Sequence, residues 1–537
     1  MKYRCVLTMT FLMGFSACLE ADQTSETTGI TTGEIDLVVE RAMVTFNVPG
    51  VAVGVVKDGK ITHAKGYGIQ ALGKDKPIDA QTLFGIASNG KAFTTTALAI
   101  LVDEGKIGWD DKVIDHIPEF RLIDPWVTAE FTIRDLLTHR SGLGKGAGDL
   151  MFWPYTDFSR EEIIKNLRHL KMASGFRTKY AYDNLLYLVA GEIIPVVTGQ
   201  SYEDFVDQRI LTPLSMRTCA TNLAVLKKIR NIAEPHILVD GVLQQVERPE
   251  PVYHRDTLAA AGGLQCSVDS MLKWLTMHLD HGKLSNGAHL ISAEQHKTLW
   301  TPQVIKPVSE EEYNRNGTHF AAYGLGFNLR DMHGYQWVQH GGSILGMVSH
   351  VSMIPELDLG VVVLTNGYSD PSMLAIANTI IKSYMPVEKT DWVSLLERDE
   401  KARVAEAKEE AGDARALKAL EGDGGQAAFP LVSYMGRYRD PWLGDMIISE
   451  KGANLYVSLL RSPLLKGVMK PFKDHTFVVR WDDRTLEADA FVRFSTDFSG
   501  QVSGITMKAV SSLTDFSFDF HDLNFKKVQS AVKHDEN

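Results

Sequence analysis

Cysteine is scarce in this chain, with Cys5, Cys18, Cys219 and Cys266 the only four in 537 residues. Two fall in the N-terminal segment, and the spacing of Cys219 and Cys266 suits no zinc site. The expectation for that pair is two buried free thiols, with a disulfide in an oxidising compartment as the alternative. Past the N-terminal segment no apolar run is long enough to cross a bilayer. H-E-x-x-H, a P-loop and a dinucleotide fingerprint are missing, so no metal and no nucleotide cofactor is expected. G-x-S-x-G is missing too, which argues against an α/β-hydrolase. Positive charge is in deficit: 56 Lys and Arg face 67 Asp and Glu, a formal net charge of -11. With no basic patch, nucleic acid is not an expected partner.

What is present begins with a leader. Lys2 and Arg4 precede the apolar run from Val6 to Ala17, the layout of a secretory signal. Phe15-Ser16-Ala17-Cys18 is similar to a bacterial lipobox, with Phe15 where leucine is usual. A lipidated Cys18 would attach the protein to a membrane, and the polar residues up to about Thr32 would form a tether. The expected location is therefore outside the cytoplasm, periplasmic or anchored to the envelope.

The length calls for two or three domains. Ile35 to Phe46 has a helical pattern, Val51–Val56 and Ile61 onward read as a hairpin about Asp58-Gly59, and a helix runs from about Lys91 to Glu104 before Gly105. Residues from about Ile107 to Gln339 mix helices, loops and few clear strands. Strands return at Val348–Ile354 and Leu359–Thr365, then a helix at Pro371–Ser383. Strands at both ends of a helical middle suggest one α/β layer with a helical insertion. Glu397–Leu420 reads as a charged, exposed connecting helix, and Glu421-Gly-Asp-Gly-Gly425 as a hinge. Short β runs follow: Met446–Ser449, Leu455–Leu459, Thr476–Trp481, Ala490–Phe494 and Gly504–Ala509. The expected division is a signal at 1–18, a tether at 19–34, a first folded domain at 35–385, a linker at 386–425 and a β domain at 426–530.

Three S-x-x-K spacings occur: Ser88/Lys91, Ser270/Lys273 and Ser530/Lys533. On a helix, residues three apart share a face, so a lysine can reach the serine hydroxyl and act as its base once desolvation lowers its pKa. Ser88 sits where a strand-like run meets a helix, whose N-terminus offers N–H groups to a developing oxyanion. Ser270 lacks companions, and Ser530 lies in a polar tail. Two further motifs follow Ser88: Tyr182-Asp183-Asn184, the only Y-x-N, and His340-Gly341-Gly342, the only H-x-G.

This ordered set resembles the serine β-lactamase and penicillin-binding-protein superfamily, in its class-C-like branch of esterases, D-aminopeptidases and DD-peptidases. Thr132–Leu143, Ala261–Leu264 and Gly360–Asn366 extend the likeness, which covers roughly Ile35 to Tyr384. Residues from about Ser433 to Val528 resemble the small lipocalin-like β-barrel often fused behind such enzymes. The resemblance implies an antiparallel sheet flanked by helices with a helical insertion, then an all-β barrel. It implies that Ser88 is acylated, that Lys91 is its base and that Tyr182 relays the proton. Asn184 would orient Lys91 and the substrate amide, and His340 would hold the place of a third-motif lysine. Past Gly342, Ser343 would give a backbone N–H to the oxyanion hole together with Ser88. His340 is mostly neutral at pH 7 and Gly341 has no hydroxyl, which favours esters, amides or short peptides over substrates needing a carboxylate clamp. Left open are a penicillin-binding protein that acylates and turns over slowly, and a non-catalytic envelope scaffold. His139 and Arg140 are expected to hold the loop after the preceding helix, Gly262 and Gly263 to serve a tight backbone turn near the cleft, and Phe152–Tyr155 to line the cleft or to pack as a lid. Fused barrels of this kind could close over a cleft or join subunits into a homo-oligomer. Tyr438, Trp442 and Phe472 are the aromatics weighed for that contact, against the alternative that they fill the barrel core.

Overall fold

The computed structural model describes residues 29–248, 255–410 and 425–529. The N-terminal segment read as a leader, with Cys18, the part of the expected connecting helix from 411 to 420, the Glu421–Gly424 part of the hinge and Ser530/Lys533 lie outside the described residues.

Helix α1 (Thr32–Thr45) starts at a capping box in which Thr31 and Glu34 satisfy each other's backbone N–H groups. It lies against a sheet made from both ends of the first domain. The hairpin of β1 (Gly50–Lys57) and β2 (Lys60–Gly68) turns at Asp58-Gly59, both at positive φ. The remaining strands are β3 (Val304–Lys306), β4 (Ala321–Tyr323), β5 (Asn328–Met332), β6 (Tyr335–Ile344), β7 (Met347–Ile354) and β8 (Leu359–Thr365). They form one antiparallel eight-stranded sheet in the order β2-β1-β8-β7-β6-β5-β4-β3. Strands β1, β7 and β8 are buried almost throughout, because helices cover both faces, and so they read as continuous apolar runs. The short strands β3 to β5 fall in the stretch read from sequence as poor in strands; at three to five residues each they leave no alternation long enough to detect.

The helical middle surrounds α2 (Gly90–Asp103). Its residues from Gly90 to Leu101 are all buried, so it is the axis of the domain rather than an amphipathic surface helix. Thr94 meets that burial by donating to the Ala260 carbonyl at 2.6 Å. Helices α3 (Leu185–Thr198) and α4 (Val268–Leu279) pack beside it, and α5 (Asp370–Ser383) covers the other sheet face with α1. A small sheet joins Phe84–Gly85, Gln265–Cys266 and Cys219–Ala220. There the free-thiol expectation fails: Cys219 and Cys266 stand directly opposite each other, 4.1 Å apart at Cα, and are bonded as a disulfide. Strand pairing brings together two thiols that sequence spacing leaves unrelated.

Helix α6 (Trp392–Glu410) is the charged connector, but its first turn is not exposed. Trp392 and Val393 are buried in the cluster that holds α1 and α5. The C-terminal domain is a closed barrel of eight strands: β9 (Gly436–Asp440), β10 (Gly444–Lys451), β11 (Asn454–Leu459), β12 (Lys466–Lys473), β13 (Thr476–Trp481), β14 (Ala490–Thr496), β15 (Val502–Ala509) and β16 (Phe525–Lys527). Closure leaves no edge strand. Tyr438 and Trp442 are buried in the barrel, and Phe472 packs on Phe491; none of the three lines the cleft. The domains meet through Arg461, whose guanidinium lies 3.8 Å over Phe158 and binds Glu162 at 3.0 Å and Asp157.

Candidate active site

Ser88 occupies a tight turn, Ala87–Asn89, that runs straight into α2. Ala87 takes φ 47°, a left-handed conformation unusual for a residue with a side chain, which marks the turn as strained and held by its surroundings. Those surroundings are backbones at close quarters. A Cβ at Gly342 would lie 2.3 Å from the Ile86 carbonyl and 2.5 Å from Ser349 Oγ, so only glycine lets β6 lie against the turn. A Cβ at Gly262 would meet the Ala87 carbonyl carbon at 2.9 Å. Ser349 donates to the Ile86 carbonyl at 2.7 Å and accepts from Asn89 at 2.8 Å, tying the turn to β7.

Lys91, the second residue of α2, is fully buried and points back at the serine. Its Nζ lies 3.0 Å from Ser88 Oγ, 2.7 Å from Asn184 Oδ1 and 2.9 Å from the Ala261 carbonyl. Burial lowers its pKa to about 7, against an upward pull from Asp149 and Asp183. The Tyr182 ring lies 4.8 Å from this nitrogen, with its phenol on the Ser88 side of the site. Burial raises the phenol well above its ordinary value, so it stays protonated. Tyr182 and Asn184 reach the site from the loop entering α3, where Asn184 is the N-cap. His139 holds that loop by accepting the Asp183 N–H at 3.1 Å, so its support goes to the loop entering α3, and Arg140 binds buried Asp135.

His340 lies across the cleft, with its ring centroid 6.3 Å from that of Tyr182. Its Nδ1 faces its neighbour's carbonyl, that of Gly341, at 2.5 Å and its Nε2 faces the Tyr323 hydroxyl at 3.0 Å. Burial drives its pKa to about 3, so the ring is neutral, donating from Nδ1 and accepting at Nε2. The register of β5 ends at Asn328 opposite Gln339, so from His340 to Ile344 strand β6 pairs with β7 alone and its other edge faces the cleft. Ser343 is on that edge.

The structure thus brings Ser88, Tyr182, Asn184, His340, Gly342 and Ser343 to one cavity of about 610 Å³, with Lys91 buried behind Ser88. It separates the rival pair: Ser270 bonds to Thr218 at 2.7 Å, while Lys273 turns away to the Ser215 carbonyl at 3.0 Å. Phe152 and Trp153 line the cavity, and Trp153 also packs on Phe518 of the barrel. Sequence reasoning missed Asp149, which accepts from Asn184 Nδ2 at 2.8 Å, and Lys306, a cavity cation 4.4 Å over the Tyr180 ring whose pKa burial lowers to about 8. It also missed Phe516 and Ser517, which enter from the barrel. None of these sits in a spacing that sequence could have flagged. Among the described residues no group of His, Cys, Asp and Glu is placed to hold a metal ion, and no helix is long and apolar enough to cross a membrane.

A serine turned toward a buried lysine and a phenol, beneath the edge of an antiparallel sheet with a helical insertion, defines the penicillin-recognising class of serine hydrolases. A model described as Beta-lactamase matches residues 35–384, and the chain belongs to that family. Residues 422–527 match a domain of unknown function, DUF3471. Relatives include an unguisins hydrolase of Aspergillus campestris, 28% identical over 61% of this chain and 60% of its own length. Penicillin-binding protein 4 of Amycolatopsis lactamdurans is 28% identical over 60% of this chain and 81% of its own. Protein flp of Staphylococcus aureus is 27% identical over 65% and 66%. The match therefore spans about three fifths of the unguisins hydrolase. Among solved structures, the octameric penicillin-binding protein homologue from Pyrococcus abyssi aligns with a TM-score of 0.59 at 21% identity, covering 93% of this chain and 100% of that one, a likeness of fold.

Proposed function

We propose that this chain is a serine hydrolase that cleaves an ester, an amide or a short peptide through an acyl-enzyme on Ser88. The observation that carries this reading is the set of partners around Lys91. A neutral amine has two N–H donors and one lone pair. Asn184 Oδ1 and the Ala261 carbonyl are fixed acceptors for the two donors, which leaves the lone pair for the Ser88 hydroxyl. With a pKa of about 7, much of the lysine is already in that neutral form at neutral pH.

Ser88 Oγ would attack the carbonyl carbon and pass its proton to Lys91 Nζ. The backbone N–H groups of Ser88 and Ser343 would take the oxyanion, a few kcal/mol of preorganised stabilisation. The Tyr182 phenol would hand a proton to the leaving group and be restored from Lys91. Water then attacks the acyl ester and returns Ser88 to its hydroxyl. Neutral His340 offers no fixed charge for a carboxylate, which supports esters, amides or peptides ahead of β-lactams. D-configured or cell-wall-derived peptides are the natural candidates, and one relative is named for hydrolysing unguisins. The test is a pulse of fluorophosphonate or fluorescent penicillin, then a panel of p-nitrophenyl esters, D-aminoacyl anilides and nitrocefin. Ester or anilide turnover with Ser88 labelled supports the proposal; stable penicillin labelling without turnover makes the chain a slow penicillin-binding protein; no labelling makes it a scaffold.

Export and attachment through a lipidated Cys18 form part of the same proposal. The leader pattern supports them, and so does the Cys219–Cys266 disulfide, which suits an oxidising compartment. Cell fractions should hold the processed chain in the envelope, and Cys18→Ser should release it; unprocessed cytoplasmic protein refutes export. Self-association draws support from the octameric relative of the same fold, and sedimentation of the purified chain tests it.

A further inference from the structure

We propose that the segment between β15 and β16 of the barrel completes the active site, with Ser517 acting through Asp149 as a positioning residue for Asn184 and Lys91. The proposal rests on the reading of Ser88 and Lys91 given above. An asparagine side chain has an acceptor end and a donor end of nearly the same shape, so its neighbours decide which way it faces. Asn184 Nδ2 donates to Asp149 Oδ2 at 2.8 Å, and this turns Oδ1 toward Lys91 at 2.7 Å. Were the amide reversed, its NH2 would meet the N–H of the lysine and the lone pair would lose its aim at Ser88. Asp149 therefore sets the direction of the base without touching substrate.

Asp149 is itself held from the other domain. Ser517 Oγ donates to the same Oδ2 at 2.9 Å, while Oδ1 has no partner among the described residues. Two residues along, Asp519 Oδ2 accepts the Gly148 N–H at 2.6 Å and pins the backbone beside Asp149. Ser517 and Asp519 are buried, although both belong to a barrel loop. Between β15 and Ser517, Phe516 stands edge-on to Tyr182 with ring centroids 5.9 Å apart, and Lys145 lies 4.4 Å over its ring. A Cβ at Gly146 would fall 2.7 Å from Phe516, so the receiving loop is cut to this side chain. Tyr368 donates to Asp515 at 3.1 Å and fixes the near end of the segment. Buried polar contacts of this number are unlike a surface where two domains merely touch.

The experiment uses the full chain. Ser517→Ala should lower kcat on a p-nitrophenyl ester, and the fluorophosphonate labelling rate, roughly tenfold, with KM little changed. Ser517→Thr keeps the hydroxyl and should recover most of the rate, a rescue that a purely structural role would not show. Asp149→Asn keeps a carbonyl acceptor and should stay well above Asp149→Leu, for which a loss of roughly a hundredfold is expected from the misplaced base. If Asp149→Leu fails to fold, the Ser517 pair decides. Wild-type kcat and labelling rate in Ser517→Ala, or a loss that threonine does not recover, overturns the proposal. Ser88→Ala separates the two readings: if it still labels, the nucleophile assignment falls; if it is silent while Ser517→Ala is fully active, only the positioning role falls.

Discussion

Arginine at position 91 would keep the positive charge and lose the base, since a guanidinium stays protonated at any pH the protein meets. Lys91→Arg should therefore cost on the order of a hundredfold or more in kcat, measured on the ester that the wild type turns over best. The lowered pKa also sets a direction with pH. The base works when neutral, so kcat/KM should rise with pH through about 7 and level off above it, and a profile flat on the acid side would remove Lys91 from that role. The nucleophile has a simpler check: Ser88→Ala should end fluorophosphonate labelling, while Ser270→Ala should leave it intact, because Ser270 is engaged by Thr218 and its lysine faces elsewhere.

Strand β6 is where a single methyl group should matter most among the sheet elements. Gly342→Ala would push the strand off the Ile86 carbonyl and move Ser343 from the serine, so kcat should fall by roughly a hundredfold with the chain still folded by circular dichroism. The disulfide between the short strands closes a separation of 47 residues, and breaking it as Cys219→Ser with Cys266→Ser should remove on the order of 2–4 kcal/mol, read as a lower melting temperature. Elements of this kind divide by how local their cause is. Helix α2, the β1–β2 hairpin and β8 announce themselves through capping, turn residues and apolar runs within a few residues. So do Ser88 and Lys91, three apart across the turn that leads into α2, and Tyr182 with Asn184 at the mouth of another helix. The Cys219–Cys266 bond, the short strands β3 to β5 and the Ser517–Asp149 contact depend on chain segments that meet only after folding. No periodicity carries such meetings, and a resemblance of motifs gives the positions that react but not the ones behind them. The buried start of α6 is the same lesson in small: a charged helix hides one apolar turn, Trp392 and Val393, against α1 and α5.

At the scale of the whole molecule, every motif residue lies before the connector, and from sequence the first domain looks self-sufficient. The proposed role of Ser517 makes it depend on the barrel instead. A chain ending near Met385 would lose both the apolar turn of α6 and the segment around Ser517, whereas one ending near Glu410 would keep the former. The longer of the two should be the more soluble, and both should label and turn over at least tenfold more slowly than the full chain if Asp149 needs its outside partner. Equal labelling rates in the Glu410-ended and full chains would make the barrel an appendage. Sedimentation of the same three proteins shows whether the barrel also governs assembly.

The hydrogen bond from Ser517 to Asp149 joins residues 368 positions apart, and translation makes the nucleophile's end of the chain first. If Ser517 aims the base through Asp149 as proposed, the hydrolase works slowly until the barrel has docked. Full activity then becomes a certificate of completed folding: a chain released early or clipped in the connector carries the serine and the lysine but not their full alignment.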